Sequence, residues 1–354
     1  MIPVLYPVHQ TIFVGNGIGL LSDVKSCKCT EKLNEQYELE LVMPRTGQFV
    51  DQIEVDCVIK AKANYRDDPQ LFRVYSVEKN SDDDVTVSAA HISYDTIGIP
   101  ILPFTAENLD DAVDNMNTNH MLLGDTPFVL NADFSKEGTM KVASPTPFRS
   151  LLGGSENSIK EVYGGDFHYD NYVINLVEKR GSNTGVVFRY GKNILDFDHE
   201  VNSEELYTAV LGYWKKNGSG DQEDTIIYGN IIECEGDFPY DKIYILDTSS
   251  DIKNENDANA TVDQIDECAE KYIADNAIGI PKTKMKISYT DDDNIIRVCV
   301  GDQTGIIFPE YNIYTSARCN TVVFNSLTEK NESIEVGVEA KELADTIAGL
   351  FVSH

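Results

Sequence analysis

Hydrophobic and polar positions alternate with a period of two in short runs along most of this chain, and turn-forming residues separate the runs. The clearest case lies between Glu161 and Ile194, where Tyr172, Ile174, Leu176 and Glu178 alternate with Val173, Asn175 and Val177. This stretch predicts a β-meander. Its parts are a strand at Phe167 to Tyr169, a corner at Asp170-Asn171, a strand from Tyr172 to Glu178, a Gly/Ser/Asn turn and a strand from Val186 to Tyr190. Comparable runs precede it at Val4 to Val8, Thr11 to Val14, Tyr37 to Met43, Cys57 to Ala63, Phe72 to Lys79 and Val85 to Ala90. Their spacing favours an antiparallel barrel or sandwich. Further strands are predicted at Glu205 to Trp214, Ile226 to Ile232, Lys242 to Leu246, Lys286 to Tyr289, Ile296 to Val300, Gly305 to Ile307, Asn312 to Asn325 and Glu332 to Val338.

Helical spacing interrupts this pattern in three places. Thr105 to Met116 opens with a Thr cap and acidic residues and puts Leu109, Ala112, Val113 and Met116 on one face. After a strand at Phe128 to Ala132, Pro147 to Leu152 reads as a short helix beginning at proline. Thr261 to Asn276 places Ile265, Cys268, Ala269, Tyr272 and Ile273 along one side behind a Thr cap. The expected fold class is mainly β with α+β insertions.

At 354 residues the chain suits two to four modules, and its 42% hydrophobic content is enough to fill their cores. With 29 basic against 59 acidic residues the formal charge is -30, which argues against a nucleic-acid or anionic-membrane binder held by counterion release. The seven cysteines are odd in number and scattered, so they read as reduced thiols of a protein folded in the cytosol. MIPVLYPVHQ has no basic segment followed by an apolar one, and the run Ile97 to Phe104 is too short for a membrane span, so neither an export signal nor an anchor is expected.

Several local patterns invite a chemical reading, and each has a plainer structural one. Gly15-Asn16-Gly17-Ile18-Gly19 lacks the spacing of a dinucleotide loop and reads as a tight turn. Cys27-x-Cys29 has no partner pair for structural zinc. His91 has no nucleophile or carboxylate cluster near it in sequence and is expected to be a hydrogen-bonded structural residue. Gly153-Gly154-Ser155 is not a nucleophile elbow, and the glycines suit a helix end. Asp247 to Asn259 looks superficially like a calcium loop but lacks its glycine and its ligand spacing. Trp214 and Cys268 read as packing residues. The six histidines, His9, His91, His120, His168, His199 and His354, form no H-E-x-x-H and no Cys/His or Ser/His/Asp set. No catalytic, metal or cofactor-binding residue is expected.

Four groups of motifs, in order along the chain, resemble one family. Asn16 to Pro44 (NGIGLLSDVKSCKCTEKLNEQYELELVMP) is similar to an opening "NG-x-G-x-L-x-D-A … L-N-G-x-Y-E-L", with Glu35-Gln36 standing where a glycine is usual, so the turn there must be built differently. Gln70 to Tyr75 (QLFRVY) with Val85 to Asp95 (VTVSAAHISYD) resembles "FRIY … HISYD". Arg149 to Gly153 resembles "R-x-L-L-G", and Gly164 to Asn193 carries "GG-x-F … R-G-x-x-x-G … YGKN". Val300-Gly301-Asp302, the run from Arg318 to Gly337 and Lys341 to Ile347 are similar to "L-G-D", "T-A-R-V … I-E-(V/L)-G" and "L-A-D-T-I".

The family is the prophage tail proteins, also labelled tail endopeptidases, whose N-terminal regions form the baseplate hub of tailed phages. The resemblance implies two small antiparallel β-barrels with α/β modules. The expected domains are a barrel at 1–102, an α+β domain at 103–200 completed by a terminal helix at 339–354, a second barrel from 201–235 with 286–338, and an inserted α/β domain at 236–285. It implies a homotrimer whose six barrels form a ring at the tail tip of the virion. The implied partners are the distal tail protein, tail tube and tape-measure proteins, with DNA only in transit and no membrane binding. An acidic passage would not retain DNA. Lytic activity in this family resembles an appended domain, so this chain is expected not to be an enzyme. The rival readings are a tail-associated cell-wall endopeptidase and the hub of a contractile bacteriocin or injection particle.

Overall fold

The computed structural model describes residues 1–79, 83–155, 157–189, 192, 194–202, 206–216, 224–236, 238–252, 258–276, 278–279, 282–289, 297–308 and 313–337. Residues 253–257 of the Asp247 to Asn259 loop and the terminal helix expected at 339–354 lie outside them. Contacts divide the chain into two compact units. The first comprises Met1–Phe197, Lys286–Ile313 and Ala317–Val336, and the second Asp198–Met285, Tyr314–Ser316 and Gly337–His354.

The chain opens with β1 (Val4–Tyr6), β2 (Gly19–Leu20), β3 (Ser26–Lys32), β4 (Tyr37–Pro44), β5 (Val58–Ala61), β6 (Gln70–Lys79) and β7 (Asp84–His91). Strict alternation makes β3, β4 and β7 one-sided: Cys27, Cys29, Leu39, Leu41, Met43, Val85, Val87 and Ala89 all point into one core. Two segments differ from expectation. Ser26–Lys32 is a strand although its Lys, Thr and Glu residues hide the pattern, because its two cysteines act as small apolar residues. Thr11 to Val14 is a loop, stapled by Lys60 Nζ to the Phe13 carbonyl (3.1 Å) and by the Tyr6 hydroxyl to the Gly15 carbonyl (2.7 Å).

Next come β8 (Pro100–Ile101), β9 (Phe104–Asn108), α1 (Leu109–Thr118), β10 (Val129–Ala132), β11 (Glu137–Val142), β12 (Thr146–Pro147), α2 (Phe148–Leu152), α3 (Ile159–Tyr163), β13 (Asp166–Asp170), β14 (Val173–Val177), β15 (Asn183–Arg189) and β16 (Ile194–Asn202). The first helix is capped three residues later than its Thr predicted. Thr105 is paired with Lys141 in β9–β11, and Asn108 is the cap, its side chain accepting from the Asp111 amide at 2.8 Å. The meander is a hairpin only. β14 is flanked by β13 antiparallel and by β10 parallel, while β15 leaves to pair in parallel with a strand more than a hundred residues later.

The chain continues with β17 (Ala209–Lys216), β18 (Thr225–Glu233), β19 (Ile243–Asp247), α4 (Val262–Asn276), β20 (Lys282–Tyr289), β21 (Gln303–Phe308), β22 (Ile313–Asn325) and β23 (Lys330–Gly337). Residues 297–300, expected as a strand, form a non-strand approach to the Gly301 turn. In the first unit one ladder runs β23-β22-β3-β4-β7-β6-β5-β1-β2, with Thr321 to Asn325 registered against Lys32 to Lys28, so the last strands extend the first sheet directly. In the second unit β17 lies between β18 and β19, and α4 covers one face. Thr261 and Gln264 form a reciprocal cap at its start, and Trp214, Ile252, Ala260 and Ile265 make its core, so Trp214 is a packing residue. The class is mainly β with α+β insertions.

Candidate functional site

The motif residues that looked unrelated along the chain meet in the first unit as joints between elements. Arg180-Gly181 and Gly301-Asp302 pass backbone to backbone. A Cβ on Gly181 would stand 2.1 Å from the Gly301 carbonyl group, one on Gly301 would stand 2.5 Å from the Arg180 carbonyl oxygen, and both residues have φ near +90°. Only glycine satisfies both demands. Asp302, with no solvent exposure, accepts from Arg66 through two parallel bonds (2.9 and 2.8 Å) and from the amides of Ser182 (2.9 Å) and Cys299 (2.8 Å).

A second carboxylate is set beside the first. Asp166, the variable position of the "GG-x-F" motif, accepts from Asn34 Nδ2 at 2.8 Å, from the Arg180 amide at 3.0 Å and from Arg318. Burial alone would raise its pKa, but these donors outweigh it and hold the carboxyl below its ordinary range. Arg180 is itself largely withdrawn from solvent, its side chain 11% exposed, and pairs with Glu31 of β3 at 2.5 Å, which keeps it charged against the cost of desolvation. Asn34 also answers the missing glycine of the β3–β4 turn. It takes the left-handed conformation itself (φ 63°), and its Oδ1 accepts from the Phe167 amide at 2.7 Å.

The "FRVY" and "HISYD" motifs pair in the same manner. Arg73 binds Asp95 through Nε (2.9 Å) and Nη2 (2.7 Å). His91 is fully buried, with Nε2 3.0 Å from Gln70 Oε1, Nδ1 3.0 Å from Ser93 Oγ, and its ring stacked on Tyr37. Burial, followed by the nearby Arg149 charge, pushes its pKa down to about 3, so it is neutral. Arg149 of the "R-x-L-L-G" helix lies over the Tyr94 ring at 4.2 Å and the Tyr169 ring at 5.0 Å. Each motif thus supplies one half of a cross-link.

Beside the ionic joint is a cavity of about 250 Å³ lined by Arg66, Asp67, His168, Arg180 and Cys299 among others. His168 Nε2 lies 3.0 Å from Asp67 Oδ2. Burial would raise Asp67, yet the His168 contact and the Asn64 amide keep it low. The lining of this cavity brings together a His, an Asp and a Cys. Burial pushes the Cys299 thiol up to about 11, so at neutral pH it is protonated and a poor nucleophile. His9 and His120 stand apart from the joint, the side chain of His199 and all of His354 fall outside the description, and Cys27 and Cys29 are buried thiols raised by the same desolvation.

Sequence reasoning identified the motifs but missed Glu31, Arg66, Asp166 and Arg318 as members of the joint. The available signal was charge placed inside otherwise apolar strands, as in Cys27-Lys28-Cys29-Thr30-Glu31, where the alternation points Glu31 inward.

The class defined by this geometry is a β-rich scaffold held by long-range charged joints. Comparison with known proteins narrows it. Residues 182–347 match the family described as Prophage endopeptidase tail, the family that the sequence motifs resemble. The fold is similar to prophage tail protein gp18 from Listeria monocytogenes EGD-e (14% identity, TM-score 0.61, 99% of this chain and 98% of that one). It is also similar to a 43 kDa tail protein of prophage MuSo2 from Shewanella oneidensis (10%, 0.62, 96% and 98%). A third similar structure is a tail protein from Neisseria meningitidis MC58 (8%, 0.60, 95% and 95%). No curated protein matches the sequence.

Proposed function

We propose that this chain is a structural hub of a phage or prophage tail, a homotrimer at the distal tip of the virion that attaches to the tail tube, tape-measure and distal tail proteins. In this reading two β-barrels per copy give a ring of six that closes the channel until host contact and then passes DNA. The observation that carries it is the use of the family's motif residues as cross-links between elements, in a fold shared along almost the full length of prophage tail proteins. A formal charge of -30 suits a passage that does not retain a polyanion. Light scattering after size exclusion should give three times the chain mass, and imaging should give a ring; a monomer at every concentration removes the hub reading.

The name of the matched family favours a second reading, a cell-wall endopeptidase. His168, Asp67 and Cys299 line one cavity, but the raised thiol argues against a nucleophile. A muralytic assay on the purified chain separates the two. No turnover is expected, and turnover lost in Cys299→Ala would replace the structural reading with an enzymatic one. The same hub in an injection particle or contractile bacteriocin would share all of this chemistry.

A further inference from the structure

A second cleft in the first unit, of about 670 Å³, is larger than the cavity beside the ionic joint and within the ~300–1,000 Å³ of small-molecule sites. Its lining combines the Arg73–Asp95 pair with Tyr172 and with residues of two loops, at 8–11 and 125–128. Both loops are fixed by local bonds. Gln10 Nε2 donates to the Ile12 carbonyl at 2.6 Å, and the Phe128 amide donates to Thr126 Oγ1 at 3.2 Å. Tyr172 is placed by the corner before it, where Asn171 takes the left-handed conformation (φ 51°). The Asn171 amide donates to Gln70 Oε1 at 2.8 Å and its Oδ1 accepts from the Leu71 amide at 2.9 Å, which pins the corner to β6 close to Arg73. Phe128 braces the Tyr172 ring edge to face at 5.2 Å.

We propose that this cleft binds a neutral saccharide, with one sugar ring lying on Tyr172 and its hydroxyls on the polar groups around it. The inference goes beyond the hub reading and does not rest on it. Arg73 carries five N–H groups, and its bonds to Asp95 and to the Asp56 carbonyl (3.0 Å) use Nε and one N–H on each terminal nitrogen. The second N–H of each terminal nitrogen is left for a ligand, on a guanidinium held in place from both sides. Its charge is cancelled by Asp95, so the pair offers direction without net charge. His9, Thr11 and Asp125, all exposed, add donors and acceptors on the two loops. These groups select the ligand class. A wholly apolar ligand would strip water from them and return no hydrogen bond. An anion meets Asp125 and a chain of formal charge -30. A cation meets the Arg73 guanidinium, whose carboxylate is already taken. A sugar ring brings hydroxyls that both donate and accept, and C–H groups that suit the electron-rich face of an aromatic ring.

The test uses the full chain and saturation-transfer NMR with glucose, N-acetylglucosamine and cellobiose as probes, followed by calorimetric titration of those that respond. At least one should bind, with an affinity unchanged between ~50 and ~500 mM salt, because a neutral ligand is not screened. Tyr172→Ala should weaken binding at least about 10-fold and Asp125→Ala about 3-fold. Tyr172→Phe should regain most of what the alanine variant loses, and Tyr228→Ala, an exposed tyrosine of the second unit, should change nothing. Where circular dichroism shows Tyr172→Ala to be misfolded, Asp125→Ala decides, since its side chain is on the surface. No response to any of the three sugars from the folded wild type overturns the proposal, and so does a response that Tyr172→Ala and Asp125→Ala leave unchanged. Stronger binding of inorganic phosphate or of N-acetyl-triglycine amide than of every sugar overturns the ligand class. Sugar binding by a chain that proves monomeric upholds this inference and removes only the hub reading.

Discussion

The interiors of the two units are held by opposite means. In the second, a helix lies on a sheet through Trp214, Ile252, Ala260 and Ile265, and Asp266 at that seam accepts from the Asn230 amide at 2.7 Å. The first unit buries carboxylates and guanidinium groups and joins positions far apart in sequence, with Arg66 to Asp302 spanning 236 residues and Glu31 to Arg180 spanning 149. Apolar contact is tolerant of sliding, whereas a bidentate ion pair fixes position and angle. Buried pairs are weak evidence for stability but are costly to break by halves. The contrast implies that the first unit uses charge to set which strands meet, and the second uses shape to keep one helix in place.

The largest effect expected from breaking this contrast is at Asp302. Asp302→Ala strands the Cys299 and Ser182 amides and removes the partner of Arg66, and should cost about 3 kcal/mol, at the low end for a buried pair because the Arg66 guanidinium is half in water. Unfolding followed by far-UV circular dichroism checks it. Trp214, the only tryptophan, reports the second unit, so its emission transition should move less.

Next in size is an acid effect. His91 has its pKa lowered to about 3 against an ordinary value of 6.5, so between those values the unfolded chain binds a proton that the folded chain does not. Stability is then fully present above pH 6.5 and falls with decreasing pH, by up to ~1.4 kcal/mol per unit, so by less than about 3 kcal/mol over the two units down to pH 4.5. Asp67 and Asp166 are lowered as well, and their contribution is lost only as the pH drops below the ordinary carboxylate range. Denaturant midpoints between pH 6.5 and 4.5 should slope in the wild type and flatten in His91→Gln. An equal slope in both would show that His91 is not the group being titrated.

In the second unit the sharpest probe is steric. Gly212→Val would put its Cβ at 2.6 Å from Ile265 Cγ2 and should lift α4 from the sheet at a cost of about 2 kcal/mol, with Trp214 emission moving to the red. An unshifted emission would mean that the helix is not seated by that glycine.

What could be read from the sequence follows the same division. The α4 cap, its apolar stripe and the strands β17 to β19 were legible because their determinants lie within a few residues of each other: Thr261 and Gln264 are three apart. The strands of the first unit were legible where alternation was unbroken, as in β4 and β7. Strand β3 was hidden because its core positions are cysteines and an inward glutamate. The partners of β14 and β15 were illegible in principle, since nothing local says that β10 will dock in parallel or that β15 will cross to β21. Motif resemblance marked Arg180, Gly181, Gly301 and Asp302 as important without saying that they touch, and proximity was the physical content it lacked.

Asn34 is where the two kinds of information disagree, and it gives the smallest of these effects. The family's turn has a glycine after this asparagine; here Glu35-Gln36 follow, and Asn34 carries the positive φ (63°) while reaching Asp166 and the Phe167 amide. Asn34→Gly keeps the backbone conformation at no steric cost and deletes both side-chain bonds, so it should cost about 1 kcal/mol, most of it from the unsatisfied Phe167 amide. Asn34→Ala deletes the same bonds and adds the left-handed penalty of about 1 kcal/mol, so the difference between the two variants measures the turn and the glycine variant alone measures the joint. If the two variants unfold at the same denaturant concentration, the turn is not strained at Asn34 and the residue serves the joint only.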